Sequence, residues 1–289
     1  MSDPSGTGRP EAAGDQDGRT FLITGANTGI GRATTEALAA RGATVYMACR
    51  SEAKARPARD EIAAATGNDN LHLLALDLAD FTSVRACADA FLQTGAPLHV
   101  LVNNAGLAGR RGMTASGFEL AFGTNHVGPF LLTGLLLQRL RASAPARIVT
   151  VSSEGHYRVD GIDYDAVRRT TRTRTAFHEY CVSKLANVLH SQELARRLEG
   201  SGVTTYSLHP GTIASDVWRE VPWPIRSLLK MRMRSPAEGA QTSLYCATSP
   251  ELAGETGLYY DNSRRKQPSR HATAALATEL WQRSEAWVA

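Results

Sequence analysis

Tyr180 and Lys184 stand four residues apart, the spacing that places two side chains on one face of a helix. A lysine so placed presses its positive charge toward the phenol and favours the ionised form. A free tyrosine titrates near ~10, so a shift of a few units makes it a usable acid or base near neutral pH. An isolated pair of this kind is ordinarily a solvated helix face. Two other features stand with this one: Ser153 upstream, and the glycine-rich stretch Thr24-Gly25-Ala26-Asn27-Thr28-Gly29-Ile30-Gly31. That stretch follows a short apolar run, Phe21-Leu22-Ile23, and opens a helical pattern. In that setting glycines let the backbone approach a pyrophosphate, and the helix N-terminus offers free N–H groups and a favourable dipole. The plainer reading of the glycines is a tight turn.

These residues need elements to position them, and the chain supplies an alternating series. Strands are predicted over 21–23, 43–48, 71–76, 98–102, 147–151, 203–208 and 257–260. Helices are predicted over 29–41, 51–65, 80–93, 114–140, 178–198 and 236–247. Alternation at this spacing implies a parallel sheet with helices on both faces, and short continuous apolar strands suit a sheet buried on both sides. The predicted fold is α/β: a single-domain Rossmann fold with a doubly wound, mostly parallel, seven-stranded sheet. Residues 1–18, rich in Gly, Pro, Asp and Ala, read as a disordered tail, and 19–289 as the domain.

The composition narrows the function classes. Of 289 residues 43% are hydrophobic, enough for a large core, and the net charge is +4. The apolar run 127–137 is interrupted by Gly128, Pro129, Thr133 and Gly134, short of the ~20 residues of a membrane span. The polar start lacks the apolar segment of a signal peptide. Cys49, Cys87, Cys181 and Cys246 are widely spaced, which argues against a zinc site or a disulfide framework and fits a reducing cytoplasm. Basic residues are scattered among acids, without a nucleic-acid recognition motif. Where the second predicted strand ends, Arg50 and Ser51 stand in place of the acid that would hold a ribose 2′-hydroxyl, and a guanidinium suits a 2′-phosphate. That predicts NADP(H), with Arg50 as the main phosphate ligand and Asn27 or Ser51 assisting.

Thr24-Gly-x-x-x-Gly-Ile-Gly31, Asp77-Leu78, Asn103-Asn-Ala-Gly106, Asn125, Ser153, Tyr180-x-x-x-Lys184 and Pro210-Gly211 occur in the order seen in short-chain dehydrogenases/reductases. The resemblance spans about residues 19 to 262 and is greatest to the retinol dehydrogenase branch, which shares features with the protochlorophyllide reductases. It implies roles residue by residue. Tyr180 would exchange a proton with the carbonyl or alcohol oxygen, and Lys184 would lower the Tyr pKa and hold the nicotinamide ribose. Ser153 would hydrogen-bond the substrate oxygen, with Ser152 as its alternative, and Asn125 would position Lys184 through a water. Gly25, Asn27, Thr28, Gly29, Ile30 and Gly31 would cradle the cofactor, Asp77 would meet the adenine amine beside Leu78, and Asn103, Asn104, Ala105 and Gly106 would line the adenosine ribose and steady the sheet. Pro210, Gly211 and Thr212 would hold the nicotinamide end, with Ser215 reaching the pyrophosphate. His126, His209 and Cys181 read as packing residues.

Two segments depart from the simplest pattern. Twenty-seven residues separate Ser153 from Tyr180, and the insertion, about 154–177, carries Arg168, Arg169, Arg172 and Arg174. It is expected to fold over the cleft, where its arginines would meet an anionic substrate or partner, or else to be a solvated loop. A second segment, about 212–235, holds Trp218, Trp223, Leu228 and Leu229 among basic residues. In the family this is the substrate lid. Its apolar side chains suit a bulky hydrophobic substrate, a membrane surface or the core. The expected activity is NADP(H)-dependent interconversion of an aldehyde or ketone and an alcohol. The alternatives are reduction of a carbon–carbon double bond and cofactor binding without turnover. The long helices 114–140 and 178–199 would allow a homodimer or homotetramer, and burial within one chain would account for their apolar faces equally well.

Overall fold

The computed structural model describes residues 15–211 and 235–289. Eight strands form one sheet in the order β3-β2-β1-β4-β5-β6-β7-β8. They are β1 Thr20–Thr24, β2 Thr44–Cys49, β3 Leu71–Ala75, β4 Val100–Asn103, β5 Ala146–Val151, β6 Val203–His209, β7 Leu258–Asp261 and β8 Arg264–Lys266. All pairings are parallel except β7 with β8. The expected sheet of seven strands therefore gains an eighth. It returns through Asn262 and Ser263, whose φ angles of 52° and 57° make the two-residue hairpin that asparagine tolerates.

The helices are α1 Gly29–Ala39, α2 Glu52–Thr66, α3 Phe81–Gln93, α4 Leu120–Ala142, α5 Phe177–Arg197, α6 Pro236–Thr248 and α7 Ala274–Val288. Both faces of the sheet are covered, and the strands alternate between them. Phe21 and Ile23 of β1 join a core with Leu38 of α1, Ile62 of α2 and Leu244 of α6. Leu22 points the other way and packs with Phe91 of α3, Leu132 of α4 and Leu194 of α5. Each such fully buried side chain contributes about 1.5–3 kcal/mol by leaving water.

Helix α4 starts at Leu120, not at 114. The carboxylate of Glu119 accepts the Phe122 N–H at 2.8 Å and caps the helix, while Thr114 closes a turn with Phe118. Within α4, Gly123–Val127 forms a π-turn that contains Asn125. Such turns recur at functional sites. By length and composition α4 is apolar enough to cross a membrane, yet 72% of that stretch is buried inside the fold, the position of a core helix. At the N-terminal side, the Gln16 N–H donates to the Arg41 carbonyl at 2.8 Å.

In this strand order the chain reverses direction between β1 and β4. A crevice opens there at the carboxyl ends of the strands, where open α/β sheets place their ligands.

Candidate active site

Two cavities adjoin at that crevice, sharing Gly106 and Leu107. One, of about 190 Å³, is lined by Gly25 and Asn27 after β1, Arg50 after β2, Asp77 and Leu78 after β3, and Ala105 and Arg110 after β4. The turn at its floor requires glycine. Gly25 has φ +66°, and a Cβ there would meet Ala105 at 3.1 Å. A Cβ on Gly31 would overlap the Gly25 carbonyl oxygen and come within 2.5 Å of Asn104 Nδ2. Asn104 Nδ2 donates to the Thr24 carbonyl at 2.8 Å, and Thr24 Oγ1 accepts the N–H groups of Asn104 and Ala105 at 3.0 and 2.9 Å. The two turns after β1 and β4 are thus pinned together.

Helix α1 begins without a side-chain cap from Thr28 and without an acid in its first turn. Its leading N–H groups and dipole are therefore available to an anion. These features fit a dinucleotide: a close-approach turn, an uncapped helix start, and Asp77, Arg50 and Arg110 in the wall. Arg110 escaped the sequence reading because it lies outside every motif, and only the fold brings it to the same cavity as Arg50.

The second cavity, about 230 Å³, brings together Ile30, Asn104, Ser153, Tyr180, Lys184, Pro210 and Gly211 with Arg158, Phe177 and His209. Ser153 lies two residues past the end of β5, and its hydroxyl interacts with the Tyr180 phenol. Ser152 also borders this cavity, but it is buried and its hydroxyl donates to the Lys184 carbonyl at 2.7 Å. The choice between the two serines thus falls to Ser153. Lys184 Nζ donates to the Val151 carbonyl at 2.9 Å and lies 5.6 Å from the Tyr180 ring centroid. Asn125 accepts the Leu107 N–H at 2.9 Å and donates to Leu107 O at 3.0 Å and to Ser183 Oγ at 2.9 Å. Ser183 Oγ in turn donates to the Tyr180 carbonyl at 2.7 Å. Asn125 thereby ties the α4 π-turn to both the 107 segment and α5. A Cβ on Gly106 would stand 3.2 Å from Asn125 Oδ1 and 3.4 Å from Lys184 Nζ, so all three meet at one point.

The electrostatics differ from expectation. Burial pushes the Tyr180 phenol up to about 12, against which the Ser153 hydrogen bond acts. The same burial pulls Lys184 down to about 8. Burial is the dominant influence on both groups and outweighs what the lysine charge does for the phenol. The group poised in the cavity is a protonated phenol.

Other expected residues fall elsewhere. Asn103 is buried and donates to Thr133 Oγ1 at 3.0 Å, fastening β4 to α4, while its neighbour Asn104 takes the cavity position. Thr28, Gly29, Gly31 and Ser51 line neither of these two cavities. Thr212, Ser215 and the lid at 212–235 lie outside the described residues apart from Ser235, which caps α6. The insertion splits: Glu154, Gly155, Arg158 and Phe177 line the catalytic cavity, whereas 160–173 walls a separate space of about 640 Å³ against Glu119 and Glu179. Of its arginines only Arg158 lines the catalytic cavity, and Arg168, Arg169, Arg172 and Arg174 do not. Arg172 faces that separate space, and Arg168 lies 4.1 Å over the Phe118 ring. Cys181 is buried, with its thiol pushed up to about 11 by burial, as a packing residue would be. His126 is buried in α4, hydrogen-bonded to Ser284 Oγ at 3.1 Å. His209 borders the cavity 4.0 Å from Glu154.

Comparison with known proteins agrees with this geometry. The family model described as short chain dehydrogenase matches residues 19–166. The chain is 45% identical to retinol dehydrogenase 11 of Mus musculus, over 91% of this chain and 84% of that one. A crystal structure of an uncharacterized protein from Mycobacterium paratuberculosis superposes with a TM-score of 0.79 at 34% identity, covering 98% of each chain. The Pseudomonas aeruginosa RhlG/NADP active-site complex does so with a TM-score of 0.69 at 26% identity, covering 88% of this chain and 97% of that one. The order of motifs, the sheet that gathers them and these likenesses have one explanation: the chain belongs to the short-chain dehydrogenase/reductase family of oxidoreductases and is similar to its retinol dehydrogenases.

Proposed function

We propose that the protein interconverts an aldehyde or ketone and an alcohol on a bulky, largely apolar substrate, with NADP(H) as cofactor. The observation that carries this reading is the meeting of Ser153, Tyr180 and Lys184 in one cavity, with the Ser153 hydroxyl acting on the Tyr180 phenol. The glycine turn and the start of α1 hold the pyrophosphate, Asp77 the adenine, and Arg50 with Arg110 the 2′-phosphate. Pro210 and Gly211 border the nicotinamide end. When bound, the nicotinamide supplies or accepts the hydride. Support for NADP(H) comes from the two guanidinium groups in one cavity wall, and from the NADP named for the Pseudomonas neighbour.

In the reductive direction Tyr180 gives its proton to the carbonyl oxygen while the Ser153 hydroxyl donates a hydrogen bond to that oxygen, offsetting the charge that develops on it. Lys184, protonated below about 8, opposes the negative charge left on the phenol. Asn125 holds the 107 segment and α5 in register, and so fixes the distance between Lys184 and the cavity. The apolar lining of Ile30, Leu107, Val151 and Phe177 favours a hydrophobic substrate body. The four buried, unpaired thiols support a reducing, cytoplasmic setting.

The test is NADPH oxidation against a panel of bulky apolar aldehydes and ketones, with NADH in parallel and Tyr180→Phe as control. Turnover with NADPH that disappears in the variant is expected. A preference for NADH would refute the roles of Arg50 and Arg110. Tight NADPH binding with no turnover of any carbonyl would refute the reaction and direct attention to an activated alkene substrate.

A further inference from the structure

His156 lies three residues past Ser153 and is fully buried at 0% exposure, beside the catalytic cavity but absent from the chemistry described above. Its two ring nitrogens have different partners. Nε2 faces the backbone N–H of Ser269 at 3.1 Å. A backbone amide can only donate, so Nε2 must accept and carries no proton. The ring proton of the neutral imidazole is then on Nδ1, which faces the Ser153 carbonyl oxygen at 2.6 Å. The surroundings hold the ring in this orientation: Tyr157 lies against it with centroids 3.9 Å apart, and Tyr259 at 4.7 Å. Tyr157 makes a second link to the same distant segment, donating its hydroxyl to the Gln267 carbonyl at 2.6 Å.

We propose that His156, as the neutral Nδ1–H tautomer, is a positioning residue that clamps the turn carrying Ser153 to the 267–269 segment and so holds the Ser153 hydroxyl on Tyr180. The inference rests on the reading of Ser153 and Tyr180 given above. Within that turn the Gly155 N–H donates to Ser153 Oγ at 3.1 Å. With that lone pair engaged, the hydroxyl proton is directed away from Gly155, toward the cavity. The backbone of Ser153 is extended, at φ −166°, and the turn begins at the next residue. Holding its carbonyl from one side and its side chain from the other leaves little freedom for the Cα–Cβ bond that aims the hydroxyl. A hydroxyl displaced by about 1 Å costs a catalytic site roughly 100-fold. Burial favours the neutral state most, the Ser153 carbonyl and Glu154 act in the opposite sense, and His209 and Lys266 nearby side with burial.

The two halves of the clamp separate by substitution. In His156→Asn the shorter amide remains near the Nδ1 position and keeps a donor for Ser153. In His156→Gln the longer amide reaches the Nε2 position and keeps an acceptor for Ser269. The expected result is that His156→Gln loses roughly 10- to 100-fold in kcat at unchanged NADPH Kd, while His156→Asn stays within a few-fold of wild type. Both variants are expected to fall in Tm together. Equal kcat in the two variants, or kcat losses that merely track the loss of folded protein, would overturn the positioning role. A second measurement stands apart from activity: long-range nitrogen–proton NMR of protein labelled at histidine nitrogen. Nδ1–H with an unprotonated Nε2 supports the clamp. A cationic ring or an Nε2–H tautomer refutes it. If wild type reduces no carbonyl, the reaction assignment fails while the NMR result still decides the geometry.

Discussion

At the scale of single residues, the decisive matter is which way adjacent side chains point. Ser152 and Ser153 are indistinguishable in type, and in a strand successive side chains face opposite ways. Ser152 spends its hydroxyl on the Lys184 carbonyl and Ser153 turns to Tyr180. Ser153→Ala should therefore lower kcat roughly 100- to 1000-fold with little change in Tm. Ser152→Ala should cost about 1 kcal/mol of stability through its lost buried hydrogen bond while leaving kcat within a few-fold, as steady-state rates and thermal melts would show. The pH profile follows from Lys184. Its folded value of about 8 lies below that of free lysine, so its positive charge is present below pH 8 and lost above it. With Tyr180 protonated up to about 12, the reductive kcat/KM should hold level at neutral pH and decline as pH rises through about 8. Lys184→Arg, which keeps its charge, should retain rate above that point if it still folds. A profile flat to pH 10 in wild type would refute this role of the lysine charge.

At the scale of elements, glycines of the same residue type serve different ends. Gly31 opens α1 where the chain turns back over Asn104, and Gly128 sits where α4 crosses the Leu78 backbone. A Cβ at either position overlaps a carbonyl oxygen, of Gly25 and of Leu78 respectively. Gly31→Ala should push apart the turns that form the cofactor cradle, raising the NADPH Kd at least 10-fold in a fluorescence titration while most of the fold survives. Gly128→Ala forces α4 off the sheet and should cost about 1–3 kcal/mol in urea denaturation before cofactor binding is affected. The sequence pattern placed most elements well, because buried strands and amphipathic helices carry their period in the chain. It extended α4 over 114–119, where Glu119 and Thr114 satisfy backbone N–H groups outside a helix. It passed over β8 because Arg264, Arg265 and Lys266 form an exposed edge strand with no apolar alternation to detect. Helix α7 was not anticipated, although Leu276, Ala277, Leu280, Trp281 and Trp287 carry the helical spacing that would have located it.

At the scale of the whole molecule, α7 packs against α4 and α5. Trp281 lies 4.9 Å from Phe130 of α4 and 5.7 Å from His190 of α5, and Trp287 lies 5.4 Å from Phe118. Phe118, Phe130 and His190 are buried within the chain. His126 and His190 are enclosed there with ring centroids 5.9 Å apart, and burial holds His190 down to about 4 and His126 well below its ordinary value. The unfolded chain takes up protons near pH ~6.5 and the folded chain does not, so stability is full above ~6.5 and is lost as pH falls toward about 4. Denaturant titrations between pH 7 and 4.5 should show that loss, at up to about 1.4 kcal/mol per pH unit for each such group. His190→Phe should flatten the dependence, and an equally steep slope in that variant would rule out His190 as its source. The sequence by itself determined the α/β class, the family, the glycine turn and the Tyr–Lys–Ser–Asn set. Those are written in short-range spacing, in the strand and helix periods and in backbone angles that only glycine adopts freely. The tertiary structure alone decided which serine meets Tyr180, that burial outweighs lysine in setting the phenol, that Arg110 joins Arg50, and that His156 bridges Ser153 to Ser269. Each of these depends on dielectric or distance between segments far apart in the chain, which packing creates and local sequence does not encode.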